Sequence, residues 1–268
     1  SVPTQSILFN IDIEGPLTKD KTAVLRVFAK MFYNHCGFYG DDLKIAKLER
    51  FIEKQGKTQQ FREAFEKVNG APWTETRDSF AFFEDDIVSV LQSTLGMSEQ
   101  AARNWFNGEE TNELSIAQLV ADIQEYVDGK GKDFRLLFMV DEVGQYIGDD
   151  GDLMINLQSL VEEIGIRCHG KVWVMVTSQE AIDSVVHITG NDFSKIQGRF
   201  NTRLSLSSSS VDEVIKKRVL AKTDAADQLL RMVYDKEHAV LKNLYTFNNP
   251  VLDIKGFTDG AEFSATFP

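Results

Sequence analysis

The segment that most constrains this chain is "FRLLFMVDEVGQYIG", Phe134 to Gly148. An unbroken apolar run ends there in Asp141 and Glu142, and a glycine-punctuated turn follows. A strand that is apolar throughout, rather than alternating, suits the centre of a parallel sheet with helices on both faces. "VWVMV", Val172 to Val176, has the same character. Four strands are predicted in all: Ser6 to Ile13, Phe134 to Asp141, Val172 to Ser178 and Arg203 to Leu206. Lys21 to Tyr33 and Leu153 to Ile164 carry apolar residues at helical spacing between them, the second stopping at Gly165. Strand, helix and strand in this order indicate an α/β fold of right-handed βαβ units.

The stretch from about residue 41 to 127 contains no strand pattern. "DLKIAKLERFIEKQG", "TQQFREAFEKVNG", "TRDSFAFFEDDIVSVLQSTLG", "SEQAARNWFNG" and "LSIAQLVADIQEYVDG" read as successive amphipathic helices, several closed by glycine. A helical insertion between the first and second strands is the expectation. From Val211 the chain turns helical again, with "VDEVIKKRVLAKT" and "DQLLRMVYDKEHAVLKNLYTF", and loses periodicity after Asn248. A small helical lid and a tail are expected there, over 208–268.

Charge and composition exclude several function classes. With 29 Lys and Arg against 41 Asp and Glu, the net charge is −12, the opposite of a surface built to neutralise phosphates. DNA contact is expected only through other regions. No apolar run reaches membrane-spanning length, and no basic start precedes an apolar core, so neither a membrane protein nor a secreted one is expected. The two cysteines, Cys36 and Cys168, lack CxxC spacing, which fits a reducing cytoplasm better than a disulfide framework. Each follows or precedes a histidine, His35 and His169, but a structural metal site normally needs close ligand pairs.

An aspartate at the carboxyl end of a buried strand can hold Mg²⁺, and an adjacent glutamate can orient or deprotonate an attacking water. Asp141 and Glu142 have that placement, although Asp-Glu after a strand also makes an ordinary solvated turn. The next predicted strand ends in Thr177, Ser178 and Gln179, polar groups at the edge where open α/β sheets bind ligands; helix capping is the competing role for them. "IQGRFNTRLSLS" puts Arg199 and Arg203 before the last strand, placed to reach a neighbour's nucleotide or to form surface salt bridges. What the chain lacks is a phosphate-binding loop. "EKQGKTQQ" holds Gly56, Lys57 and Thr58, but Phe51 occupies the position of the first glycine and a charged helix precedes it, so a helix C-cap and loop is expected. "GDDGD", with Asp149 and Asp150, reads as a turn and helix cap rather than as part of a nuclease metal site.

Together, "LLFMVDEVGQYIG", "NLQSLVEEIG", "GKVWVMVTSQEAID" and "GRFNTRLSLSS" resemble the large P-loop ATPase of bacteriophage-exclusion (BREX) defence systems, the BrxC/PglY family of the AAA+ class. The likeness runs along most of the chain, from "SVPTQSILFNID" to "GAEFSATFP". It implies an AAA+-like core over 1–207, with Asp141 as the Walker B magnesium residue and Glu142 as the water-activating carboxylate. Thr177 and Ser178 would take the sensor position, Gln179 would lie against the nucleotide, and Arg199 or Arg203 would be the arginine finger. ATP and Mg²⁺ are the implied ligands, with binding weak or absent without the phosphate loop. Other BREX proteins and further copies of the parent are the implied partners. The resemblance places the Walker A strand and loop upstream of residue 1, which makes this an internal fragment. With the AAA+ strand order five-one-four-three-two, the absent strand belongs between those at Val172 and Arg203. The function implied is ATP hydrolysis driving assembly or remodelling of an anti-phage complex; the alternative is a non-catalytic scaffold that docks defence partners.

Overall fold

The computed structural model describes residues 2–16, 18–107, 114–148, 150–178, 200, 202, 204, 215, 218, 221–248 and 257–266. Two compact units divide the chain, Ser1–Asn201 and Thr202–Pro268. The protein is mixed α/β, mostly helical, with a small open parallel sheet.

Three strands form that sheet in the order β1 (Thr4–Asn10), β2 (Arg135–Asp141) and β3 (Val172–Val176). β1 is shorter than the predicted Ser6–Ile13 at its far end. Asn10 stops it by accepting from the amides of Asp12 and Ile13, which starts a helical turn, α1 (Ile11–Glu14). An Asn side chain competes with the ladder for backbone donors in this way, so an apolar run continues as helix. Of the fourth predicted strand, Arg203, Ser205 and Leu206 lie outside the described residues.

Alternation along the strands decides which face is covered. Ile7, Phe9, Leu136, Phe138, Val140 and Val172 point into one core with α2 (Ala23–His35), α8 (Ile116–Gly129) and α10 (Gly151–Arg167). Phe28 of α2 sits between Phe9 and Phe138, with ring centroids at 5.5 and 5.4 Å. On the opposite face the expected cover is not found among the described residues. Among the described residues no helix shields that face, and Leu8, Trp173 and Met175 are 68%, 61% and 49% exposed. Among the described residues, "VWVMV" therefore joins a core through one face, that of Val172.

Between α2 and α8 the described residues fold as helices: α3 (Leu43–Lys54), α4 (Thr58–Asn69), α5 (Trp73–Thr76), a 3₁₀ helix (Arg77–Phe82), α6 (Glu84–Leu95) and α7 (Glu99–Asn107). They enclose a second core of their own, centred on Ile45, Leu48, Phe61, Phe65, Trp73 and Leu91. A buried carboxylate stitches it together: Glu49 accepts from Trp73 Nε1 at 2.7 Å, Arg77 at 3.0 Å and the Tyr39 amide at 2.6 Å. Gly56 closes α3 by donating to the Glu53 carbonyl, and Lys57 binds Gln60, so "QGKT" is a turn between helices.

In the second unit, α11 (Asp224–Asn248) packs on α12 (Gly260–Thr266). Tyr234 stacks on Phe263 with centroids 4.1 Å apart, and both rings meet Phe257 edge-on. No helix among the described residues is long and apolar enough to cross a membrane.

Candidate functional site

Strand register builds the site. Asn10 pairs with Asp141 and Val140 with Val176, so the carboxyl ends of all three strands fall side by side. The ladder runs one residue beyond β3, because the Thr177 amide donates to the Val140 carbonyl at 3.0 Å. Thr177 then accepts from the Val143 amide at 3.0 Å, which anchors the start of α9 (Val143–Ile147). Asp141, Glu142, Thr177 and Asn10 thus come together from segments up to 167 positions apart.

Their hydrogen bonds form one network. Thr177 Oγ1 donates to Asp141 Oδ1 and accepts from the Glu142 amide at 3.2 Å; that amide also lies 3.2 Å from Asp141 Oδ1. Asn10 uses Oδ1 to cap α1, which leaves its Nδ2 to donate to Glu142 Oε2 at 2.6 Å. Glu142 itself has φ 61°, a left-handed conformation that a non-glycine residue adopts at a cost of about 1–2 kcal/mol. This sharp turn between β2 and α9 lifts the Glu142 carboxylate over Asn10. Backbone strain is here tied to a polar side chain at a sheet's carboxyl edge, where ligands bind in open α/β folds.

Ser178 lies apart from the network. Its Oγ is buried without a hydrogen-bond partner among the described residues, turned onto α9, where a Cβ added to Gly144 would fall 2.0 Å from it. α9 is pinned from its other side by the loop after α1. Lys19 Nζ donates to the Tyr146 carbonyl at 2.9 Å, sits 4.0 Å over the Tyr146 ring and lies 3.8 Å from Asp12 Oδ1. Burial and the carboxylates of Asp12 and Asp20 hold the Tyr146 phenol above its ordinary pKa. Gly15 permits the close approach, since a Cβ there would fall 2.7 Å from the same ring.

Gln179, Arg199, Arg203 and Asp149 lie outside the described residues. Asp150 caps α10, accepting from the amides of Asp152 and Leu153 at 3.0 and 3.1 Å. Both cysteines are free, and burial pushes the Cys36 thiol up to about 12 and that of Cys168 up to about 11. Among the described residues no group of three or more His, Cys, Asp or Glu side chains could enclose a metal. A different kind of metal site is compatible with Asp141. Mg²⁺ bound chiefly by phosphate oxygens and water needs only one or two protein carboxylates. Asp141 is exposed, and among the described residues its Oδ2 has no hydrogen-bond partner.

Two residues of the site escaped sequence reasoning, Asn10 and Lys19. Asn10 had a signal: a capping residue between a strand and "IDIE". Lys19 had none, because the contact that ties it to α9, through Tyr146, spans more than a hundred positions. No protein-family model matches this chain, and no solved structure matches it.

Proposed function

We propose that this chain carries the hydrolytic half of an ATP site, in an AAA+ class ATPase of the BREX defence type. The Asn10, Asp141, Glu142 and Thr177 network at the carboxyl edge of the parallel sheet supports the reading most directly. Asp141 would hold Mg²⁺, which neutralises charge on the phosphates when bound. Thr177 fixes the Asp141 rotamer and leaves one oxygen outward. Glu142 would orient the attacking water and take up its proton, and Asn10 holds that carboxylate in place beforehand. The phosphate loop, the arginine finger and the helical lid belong to this proposal through the sequence resemblance. Other defence proteins and further copies of the parent are its proposed partners.

The test is Mg-ATP calorimetry and turnover in the longer polypeptide that includes a phosphate loop. Glu142→Gln is expected to lower turnover by about 100-fold or more while binding persists. Unchanged turnover in that variant would sink the reading. A non-catalytic scaffold is the second reading, favoured by the separate hydrophobic core of the 43–107 helices. On that reading Glu142→Gln leaves phage defence intact.

A further inference from the structure

Glu142 is held from two directions, through its side chain and through its backbone. Asn10 Nδ2 donates to the carboxylate at 2.6 Å, and the main chain runs straight into α9, where the Tyr146 amide donates back to the Glu142 carbonyl at 3.1 Å. A helix of five residues does not persist on its own, because nucleating one turn costs more order than its few hydrogen bonds return. α9 therefore takes its position from what ties its two ends.

At the start, the Val143 amide donates to the Thr177 carbonyl at 3.0 Å. At the end, the helix leaves the Tyr146 carbonyl without its usual donor, since the amide four residues on, that of Asp150, donates to Ile147 instead. Lys19 Nζ fills that place at 2.9 Å, with its ammonium also 4.0 Å from the centroid of the Tyr146 ring. Lys19 follows α1, and α1 begins at the cap that Asn10 makes. The two contacts are thus opposite sides of one closed circuit, from Asn10 across to Glu142, along α9 to the Tyr146 carbonyl, across to Lys19, and back through α1 to Asn10. Opening one side frees the other to drift. The left-handed φ of 61° at Glu142 makes this consequential, because such a residue relaxes unless its surroundings over-determine it.

We infer that Lys19 is a positioning residue for Glu142: its ammonium, through the Tyr146 carbonyl, sets α9 and so keeps the Glu142 carboxylate within reach of Asn10. What that carboxylate does to a water rests on the nucleotide reading; where it is held does not.

The experiment reads the Asn10 side-chain amide in ¹⁵N spectra of this chain. Glu142→Ala marks where the two Nδ2 proton signals fall when the contact is lost. Lys19→Met keeps an apolar stem against the Tyr146 ring and removes the donor, at an exposed position. It should carry the Asn10 signals most of the way to the Glu142→Ala position, and Lys19→Arg, which restores a donor, should return them. A Lys19→Met protein that melts lower but keeps the parental Asn10 signals has lost stability alone, which overturns the positioning role. Lys19→Ala, read in the same way, serves if the methionine variant misfolds.

In the longer polypeptide that includes a phosphate loop, Lys19→Met should lower kcat about tenfold with KM for Mg-ATP kept within about twofold, as befits a misplaced group rather than a lost binding contact. Unchanged kcat there, beside a Glu142→Gln that lowers it, overturns the positioning role and leaves the nucleotide reading standing. Unchanged kcat in Glu142→Gln removes the nucleotide reading, and the Asn10 signals then still decide whether Lys19 places that side chain.

Discussion

Asn10 Nδ2 meets Glu142 Oε2 at 2.6 Å, while Oδ1 of the same side chain caps α1. One amide therefore serves two purposes that substitution can separate. Asn10→Ala removes both and should cost about 1–2 kcal/mol by chemical denaturation, the usual price of a lost N-cap. Asn10→Asp keeps the cap but sets a second carboxylate against Glu142. The repulsion exists only when both are ionised, so the deficit of this variant should grow as pH rises from roughly 4 to 7. A pH-independent deficit would mean that the Glu142 contact carries no weight.

Ser178 was read in the sequence as a sensor hydroxyl, and its place against Gly144 supplies a way to test that role. A buried hydroxyl without a partner is a net cost. Ser178→Ala should therefore leave stability unchanged or raise it by about 1 kcal/mol in thermal unfolding. If Ser178 is a sensor, the same variant should lower turnover of the proposed longer polypeptide; unchanged turnover would remove Ser178 from that role.

Gly144→Ala should destabilise by about 1–3 kcal/mol, because its Cβ would collide with Ser178 Oγ at 2.0 Å. Ser178→Gly in the same chain should recover part of that loss. Thermal unfolding of the single and double variants measures the coupling, and simple additivity would show that the collision is relieved elsewhere.

What the sequence disclosed about this site follows from the range of the forces involved. β2 could be read to its last residue, Asp141, because apolar continuity and a terminal acid are local signals. β1 was overrun to Ile13 because Ile11 and Ile13 prolong the apolar pattern, whereas the stop is a single side chain, Asn10. The exposure of Trp173 and Met175 was also hidden: "VWVMV" reads the same whether they are shielded or bare. Register is longer in range still. Nothing near Asn10 in the sequence announces that it pairs with Asp141, or that Glu142 turns left-handed above it.

The exposure of Trp173 makes its own prediction through fluorescence. Trp173 is 61% exposed whereas Trp73 is 2% exposed. Acrylamide should quench a distinct, accessible component of the emission, and Trp173→Phe should remove most of it. An unchanged quenching profile in that variant would show that the face is covered in solution.

The two thiols predict the alkaline limb of the stability curve. Burial is the largest cause of both shifts, raising Cys36 from 9.0 to about 12 and Cys168 from 9.0 to about 11. In each case the unfolded chain gives up its proton at lower pH than the folded one. Stability is therefore whole below pH 9.0 and falls as pH rises through the window up to about 11 for Cys168 and about 12 for Cys36. Cys36 is only half-buried, so solvent screening discounts its share, and Cys168, 2% exposed, should dominate. Urea midpoints measured from pH 8.5 upward should decline less steeply in Cys168→Ala than in the parent, and Cys36→Ala should show the smaller change. Parallel curves for all three proteins would mean that other groups set the alkaline limb.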